Sequence, residues 1–284
     1  MDRPAADQDR PPAPETPGLS LGPLVEQLRA LGVQPGQTLL VHGSLGSLGW
    51  VDGGAATVVA ALREAVTATG TIVAFTGTEE NSTTSRAHHA RIAGMTPEQV
   101  AQFRNRMPAF DRQSTATGAG RLAEELRTTP GAVRSAHPQS SFAAVGPRAA
   151  ELMGGHALSC HHGERSPLAR LYRIDAAGDG PPLARVLLLG VGYRSCTAFH
   201  LAEYRYRKHP PSRTYSCVIS VGGRRRWAFY RDAVLDDSDF ELIGARLDDE
   251  LVGDRGDVGQ ASCRLMPFRA VVDHATKWML DLRS

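Results

Sequence analysis

Apolar residues along the chain recur at two alternating spacings, and this alternation predicts an α/β fold. Between Leu21 and Leu31 they fall at helical spacing, with Ser20 suited to cap the helix and Gly32 suited to end it. Residues 38–41 form a short continuous apolar run, which is typical of a strand buried on both faces. A glycine-rich turn and a second helical segment follow, and residues 71–75 predict another buried strand.

The same alternation resumes in the second half of the chain. It predicts a helix over 122–127, a strand over 141–145, helices starting at Pro147 and Ser166, and a very apolar strand over 184–189. After that strand it predicts a helix from about Cys196 to Arg207, a hairpin over 214–230, a helix rich in Leu and Asp, a strand near 262–266 and a terminal helix. Strands alternating with helices predict a three-layer α/β/α sandwich. The hairpin predicts a mixed rather than a purely parallel central sheet.

Two segments depart from this pattern. Residues 1–18 are rich in proline and polar side chains and predict a disordered leader, whereas residues 19–284 predict a single domain because no long polar linker interrupts them. Residues 76–117 are polar, with a predicted helix over 97–106. Long irregular insertions after a strand are typical of substrate loops.

Composition excludes several classes of protein. The net charge is +2, from 32 basic and 30 acidic side chains, and no basic stripe interleaved with aromatic residues indicates nucleic-acid binding. No apolar stretch approaches the roughly 18 residues of a membrane span. The four cysteines are widely scattered without CxxC spacing, as in a protein with reduced thiols. We therefore expect a cytoplasmic protein without a membrane partner.

His200 and Glu203 are the first candidates for catalysis. They stand three residues apart on a predicted helix and therefore share one face. A neutral imidazole whose second nitrogen is held by a carboxylate is a competent general base near neutral pH. The alternative is a hydrogen-bonded core histidine beside a solvated charge. No metal site is expected, because this segment has a single imidazole and no partner motif accompanies it.

The turn after the first strand allows two kinds of chemistry. His42-Gly43-Ser44-Leu45-Gly46 nearly matches the nucleophile elbow G-x-S-x-G, with His42 in place of the first glycine, so a serine hydrolase is one alternative. Free backbone N–H groups at such a turn also suit a phosphate, and a turn without a ligand is the third interpretation. A polar segment further along the chain, Arg134, Ser135 and His137, offers donors for a phosphate or carboxylate, or is a loop ahead of a strand.

Acidic and sulfur-containing side chains complete the candidates. The predicted loops carry four carboxylates suited to capture a cationic substrate, or simply solvated: Glu79, Glu80, Asp111 and Glu164. Cys196, four residues before His200, is interpreted as a buried thiol in preference to a nucleophile.

Several segments taken in order resemble the aminoglycoside 3-N-acetyltransferase family. They are VHGSLGSLGWVDGG, GTIVAFT, MPAFD, RTTPGAVRSAHPQSSFAAVG, GERSPLARLY, LLLGVG and TAFHLAE. The combination of RSxHP, SPLxRL and TAxHxAE in this order is specific, and the likeness extends over almost everything after the leader. The resemblance implies an antibiotic N-acetyltransferase-like α/β/α fold that differs from the GNAT acetyltransferases.

The resemblance also implies what each site residue does. His200 would be the catalytic base with Glu203 beside it, Glu79 would face the acceptor amine, and acetyl-CoA or another acyl-CoA would be the donor. The CoA phosphates and pantetheine arm would lie against His42, Ser44, Leu45, Gly46, Ser47, Leu48, Arg134, Ser135 and His137. The partners expected are an acyl-CoA and a small-molecule amine, with a homodimer left open.

The acceptor stays open between two classes of amine. The insertion at residues 76–117 is basic and lacks a dense acidic cluster, whereas an aminoglycoside with several ammonium groups favours carboxylates. An amine of a natural-product pathway is therefore the alternative acceptor. A serine hydrolase and a non-enzymatic CoA-binding protein are the other two interpretations.

Overall fold

A seven-stranded mixed sheet lies at the centre of the chain in the computed structural model, which describes residues 18–174, 183–250 and 252–283. Its strand order is β3-β4-β2-β1-β5-β9-β8, and β6 and β7 form a separate two-stranded sheet. The strands are β1 (Thr38–Gly43), β2 (Thr71–Phe75), β3 (Val133–Arg134), β4 (Phe142–Val145), β5 (Ala184–Leu189), β6 (Ser212–Val221), β7 (Arg224–Ala233), β8 (Asp254–Val258) and β9 (Ala261–Pro267).

The middle of the large sheet is parallel and its flanks are antiparallel. β1 pairs in parallel with both β2 and β5, with Leu40 opposite Val73 on one side and Val186 on the other. β4 runs antiparallel to β2, and β9 runs antiparallel to β5. The carboxyl ends of β2, β1 and β5 therefore meet at one edge of the sheet, where open α/β sheets form their binding sites.

Helices cover both faces of this sheet. The helices are α1 (Leu21–Ala30), α2 (Ala55–Val66), α3 (Arg86–Ile92), α4 (Pro97–Arg106), α5 (Arg121–Thr128), α6 (Ala149–Met153), α7 (Pro167–Ile174), α8 (Phe199–Ala202), α9 (Phe240–Asp249) and α10 (Phe268–Leu282), with short 3-10 helices at Leu45–Leu48 and Tyr193–Ser195. Alternate strand residues face opposite layers: Leu39 packs with α1, α2 and α5, whereas Leu40 packs with α6 to α10. The predicted α/β/α sandwich is confirmed.

Most elements agree with the hydrophobic pattern, including the helix predicted over residues 97–106. The pattern missed α3 and the short strands β3 and β8. No helix among the described residues is both long and apolar enough to cross a membrane. The expected leader lies outside the described residues, apart from Gly18.

Two structural expectations were wrong. The hairpin β6–β7 forms its own sheet and is not part of the central one. The central sheet is mixed because its flanking strands run antiparallel to their neighbours. The helix expected from Cys196 to Arg207 is only one turn, α8. After α8, three successive side chains bond to different parts of the fold. Glu203 bonds to Arg283 after α10, Tyr204 bonds to Asp232 in β7, and Arg205 bonds to Glu164 in the loop before α7.

Candidate active site

A cleft of about 580 Å³ opens at the carboxyl edge of the parallel strands. Its walls include His42 and Gly43 at the end of β1, Phe75 at the end of β2 and Arg194 after β5. The segment after β2 and the start of α3 form another wall, and His200 lies in the cleft lining. The cleft is therefore assembled from segments that are far apart in the sequence.

His200 and Glu203 form a hydrogen-bonded pair in this cleft. His200 Nδ1 lies 2.6 Å from Glu203 Oε2, and the two side chains are 15% and 1% exposed. Because the carboxylate can only accept, Nδ1 carries the proton and Nε2 remains for a reactant. The other carboxylate oxygen, Oε1, accepts from Arg283 Nη1 at 2.9 Å and from the backbone N–H of Asp236 at 2.7 Å. Both oxygens of the buried Glu203 carboxylate are thus hydrogen-bonded.

Two rings fix the plane of the His200 imidazole. His162 stacks on it with centroids 4.8 Å apart and an interplanar angle of 10°, and Phe240 contacts it at 4.8 Å and 59°. Burial, followed by the neighbouring His200, holds the pKa of His162 well below its usual range. His162 is therefore a neutral stacking partner.

His42 is another histidine of the cleft lining. Its Nε2 lies 3.2 Å from the hydroxyl of Thr197. Burial, and secondly His200, lowers the pKa of His42 to about 4. His42 is therefore neutral near neutral pH and offers a polar contact at the end of β1.

The cleft carries both signs of charge. Three carboxylates and three guanidinium groups line it: Glu79, Asp236, Asp237, Arg86, Arg194 and Arg213. Arg86 Nη2 lies 2.6 Å from Asp237 Oδ2, so one carboxylate already has a cationic partner. Burial raises the pKa of Asp237, but the hydrogen bond and charge of Arg86 outweigh it and lower that pKa.

Comparison with known proteins assigns this architecture to a family. The sequence profile of aminoglycoside 3-N-acetyltransferases matches residues 40–280. The chain belongs to the aminoglycoside 3-N-acetyltransferase family. The resemblance seen in its motifs is confirmed, and the chain is an acyltransferase of this type.

Individual family members match over most of their length. The YokD protein of Bacillus subtilis, an aminoglycoside N(3')-acetyltransferase-like protein, is 37% identical over 91% of both chains. The crystal structure of YokD matches with a TM-score of 0.84 over 94% of this chain and 96% of its own. The aminoglycoside N(3)-acetyltransferase VIII of Streptomyces fradiae is 42% identical over 74% of this chain and 70% of its own. The structure of AAC-IIIb with CoASH has a TM-score of 0.78 at 26% identity, covering 93% of this chain and 97% of its own.

Of the acidic residues expected to bind substrate, the fold brings only Glu79 into the cleft lining. Glu80 pairs with Arg91 on the surface. Asp111 accepts hydrogen bonds from the turn that follows it, and Glu164 is shared by two arginines. Glu80, Asp111 and Glu164 thus lie outside the cleft lining and bond to neighbouring residues.

Of the residues expected to bind CoA, some also lie in the cleft lining and others lie outside it. His42 lines the cleft, while residues 44–48 form the turn and 3-10 helix directly after it. Gly190, with a left-handed φ of 67°, lets the end of β5 approach this turn, since a Cβ there would lie 2.6 Å from Ser47 Cβ. The turn therefore packs tightly between β1 and β5 at the cleft edge.

Arg134, Ser135 and His137 lie outside the cleft lining and are buried. Arg134 donates to backbone carbonyls of neighbouring loops and to Ser141 Oγ. Ser135 Oγ is hydrogen-bonded to the ring of His156, and His137 donates to a backbone carbonyl. These donors are engaged inside the protein, which is the loop interpretation of this segment.

The alternative nucleophiles lack activation. Burial raises the pKa of Cys196 to about 12. In the described part of the chain no hydrogen bond joins the Ser44 hydroxyl to a histidine, and no group of three or more His, Cys, Asp or Glu side chains is arranged to hold a metal ion. All four cysteines are free thiols and buried.

Sequence reasoning missed two residues of the cleft lining, His162 and Asp236, and also Arg283, which bonds to Glu203 from outside the lining. His162 stood in the sequence as one of two adjacent histidines, which gave no hint that it stacks on His200. Asp236 and Arg283 are 33 and 80 residues from Glu203. Only a contact between distant segments reveals them.

Proposed function

We propose that this chain is an acyl-CoA-dependent N-acyltransferase that transfers an acetyl group from acetyl-CoA to an amino group of an aminoglycoside, with His200 as the general base. The observation that carries the proposal is the His200–Glu203 pair, which leaves Nε2 of a cleft-lining imidazole available. Family membership supports the acyl-transfer chemistry, and the CoASH complex of AAC-IIIb supports CoA as the carrier.

The reaction needs one proton acceptor at the incoming amine. His200 Nε2 removes a proton from the acceptor nitrogen, the nitrogen attacks the thioester carbonyl, and a C–N bond forms as the C–S bond breaks. The CoA thiolate leaves and takes that proton from the His200 imidazolium, which Glu203 stabilises while it exists. General-base catalysis of this kind is typically worth about 10²–10⁴-fold in rate.

Direct transfer without an acyl-enzyme fits the other side chains of the cleft. Cys196 is a buried thiol with a pKa raised to about 12, and Ser44 lacks a hydrogen-bonded base. We propose that the CoA arm lies along the turn at residues 44–48. We assign Arg134, Ser135 and His137 to holding their own loop, because their donors are already engaged.

The acceptor amine is proposed to meet the carboxylates of Glu79, Asp236 and Asp237. A second acceptor class, a less cationic natural-product amine, is favoured by one observation: three guanidinium groups line the same cleft, and Arg86 already pairs with Asp237. A panel of amines from one to five ammonium groups separates the two classes.

The deciding experiment is thiol release from acetyl-CoA in the presence of this amine panel. We expect release with at least one aminoglycoside, and a loss of about 10²–10⁴-fold in kcat/KM in His200→Ala with the fold retained by circular dichroism. His89→Ala, an exposed histidine outside the cleft lining, is the matched control and should retain wild-type rates.

Equal rates in His200→Ala and the wild type would refute the assigned base. A serine hydrolase would instead hydrolyse esters without CoA and lose that activity in Ser44→Ala, whereas we expect Ser44→Ala to retain thiol release. Binding of CoA by calorimetry without thiol release from any amine would favour a non-enzymatic CoA-binding protein.

A further inference from the structure

Arg283, the residue that follows α10, contacts the far side of the His200–Glu203 pair. Its Nη1 donates to Glu203 Oε1 at 2.9 Å, while Oε2 of the same carboxylate holds His200. Its Nε donates to Asp239 Oδ2 at 2.6 Å and its Nη2 to the carbonyl of Asp236 at 2.7 Å. The guanidinium is therefore fixed by three separate acceptors.

The position of Arg283 is electrostatically significant because Glu203 is almost completely buried. The Arg283 side chain is itself only 16% exposed, so water screens this ion pair weakly. Burial lowers the pKa of Arg283, but its bonds to Asp239 and Glu203 outweigh this and raise that pKa, so the guanidinium is charged. A fixed positive charge and an imidazole thus share one buried carboxylate.

We propose that Arg283 is a positioning residue that sets the proton affinity of the His200–Glu203 pair. The proposal rests on the proposed role of His200 as the base. Glu203 alone would favour the imidazolium and keep His200 protonated to higher pH. The opposing charge of Arg283 weakens that attraction, and its bond to Oε1 also holds the carboxylate in line with Nδ1.

Other charged and titratable groups near His200 act in both directions. Those that interact electrostatically with it are His42 from β1, His161 and His162 from the loop before α7, and Asp236 and Asp237 from the loop before α9. Burial holds the pKa of each of the three histidines below its usual range. None of these groups bonds to Glu203 Oε1 through a charged side chain, which is the role particular to Arg283.

Substituting Arg283 by Gln removes the charge and keeps a hydrogen-bond donor. Because His200 and Glu203 are coupled, the proton of the pair belongs to both. Removing a neighbouring cation favours that proton whichever group holds it, so the apparent pKa of the pair rises. We expect a rise of about one pH unit, which is the lower end of the range for a nearby charge.

Two further variants separate charge from structure. Arg283→Lys keeps the positive charge and should restore the apparent pKa to within a few tenths of a unit. Asp239→Asn weakens the same attachment of α10 but leaves Arg283 beside Glu203. It should leave the apparent pKa unchanged or lower it, because Arg283 then has fewer competing anions.

The measurement is the pH titration of His200 by NMR on the full chain with isotope-labelled histidine, the His200 signal being identified by its loss in His200→Gln. The acidic limb of kcat/KM for thiol release is recorded in parallel. The NMR titration needs no turnover, so a failed acyltransferase assay would refute the proposed function while still testing Arg283. An unchanged His200 titration in Arg283→Gln, or an equal upward shift in Asp239→Asn, would overturn the proposal.

Discussion

At the residue scale, two histidine–carboxylate pairs of the described residues have their histidine in the cleft lining, and their surroundings distinguish them. His161 Nδ1 donates to Asp232 Oδ2 at 2.5 Å, and its Nε2 lies 3.1 Å from the hydroxyl of Tyr230, which can donate to it. Both nitrogens of His161 are therefore bonded within the protein, although its ring reaches the cleft lining. In the part of the chain that the structure describes, only Nδ1 of the His200 ring has a hydrogen-bond partner, and this difference makes it the candidate base.

The stacked ring of His162 supplies a prediction at the same scale. Its Nδ1 is buried without a hydrogen-bond partner, which destabilises the fold, while its face orients His200. His162→Ala should lower kcat by on the order of 10-fold or more, because even a small displacement of the His200 ring reduces the rate strongly. His162→Phe retains an aromatic face and should lower kcat less.

Steady-state kinetics with thermal unfolding of both variants checks this expectation. The Phe variant also removes the unsatisfied nitrogen, so its melting temperature should equal or exceed that of the wild type. Equal losses of kcat in the Ala and Phe variants would contradict an orienting role for the ring.

At the element scale, the insertion at residues 76–117 is attached to the hairpin β6–β7. Asn81 Nδ2 donates to the carbonyl of Val218 and Asn81 Oδ1 accepts from its N–H, both at 2.7 Å, so the side chain pairs with β6 as a neighbouring strand would. Phe110 forms a parallel bridge with Ile219 further along. These contacts position the cleft wall that carries Glu79.

Asn81→Ala should therefore affect both stability and substrate binding. It leaves the buried N–H of Val218 without its acceptor, while the Val218 carbonyl keeps the backbone N–H of Phe110, and it is expected to lower the free energy of unfolding by about 2 kcal/mol. The KM of the acceptor should rise more than kcat falls, because the wall binds rather than reacts. Urea denaturation and steady-state kinetics measure both quantities. Asn105→Ala, an exposed position on α4, is the control and should change neither.

At the scale of the whole molecule, several histidines are buried between the sheet and the cleft. Burial, opposed only partly by hydrogen bonds, lowers the pKa of His156 to about 4, and burial also lowers the pKa of His42 to about 4. The unfolded chain binds these protons near pH 6.5, its ordinary value. Between pH 6.5 and 4 the unfolded state therefore binds more protons, and stability falls as the pH falls through this window.

The free energy of unfolding should consequently drop between pH 7 and pH 5. Each of these two histidines contributes a loss of about 2 kcal/mol over that interval. Urea denaturation at the two pH values measures the drop. His156→Gln should be less stable at pH 7 but should lose about 2 kcal/mol less on acidification. An identical pH dependence in the variant would contradict the protonation argument.

The hydrophobic pattern by itself determined the layered architecture and most element positions. Strands buried on both faces, such as β1 and β5, are continuous apolar runs, and helices such as α1 repeat at helical spacing, so local sequence carries the information. The pattern did not predict the short strands β3 and β8, because a two-residue strand or a polar edge strand has no continuous apolar run. The pairing of His200 with Glu203 was also accessible, because residues three apart on a helical turn share a face.

Only the tertiary structure decided the surroundings of that pair. The sequence grouped Glu80, Asp111 and Glu164 with Glu79 by charge alone, yet folding occupies those three elsewhere. Folding also buries Arg134 and His137, which donate to backbone carbonyls, and brings Arg283 from the end of α10 to Glu203. The physical reason is that hydrogen-bond partners far apart in the sequence compete for each polar group, and only the packed chain determines which partner it meets.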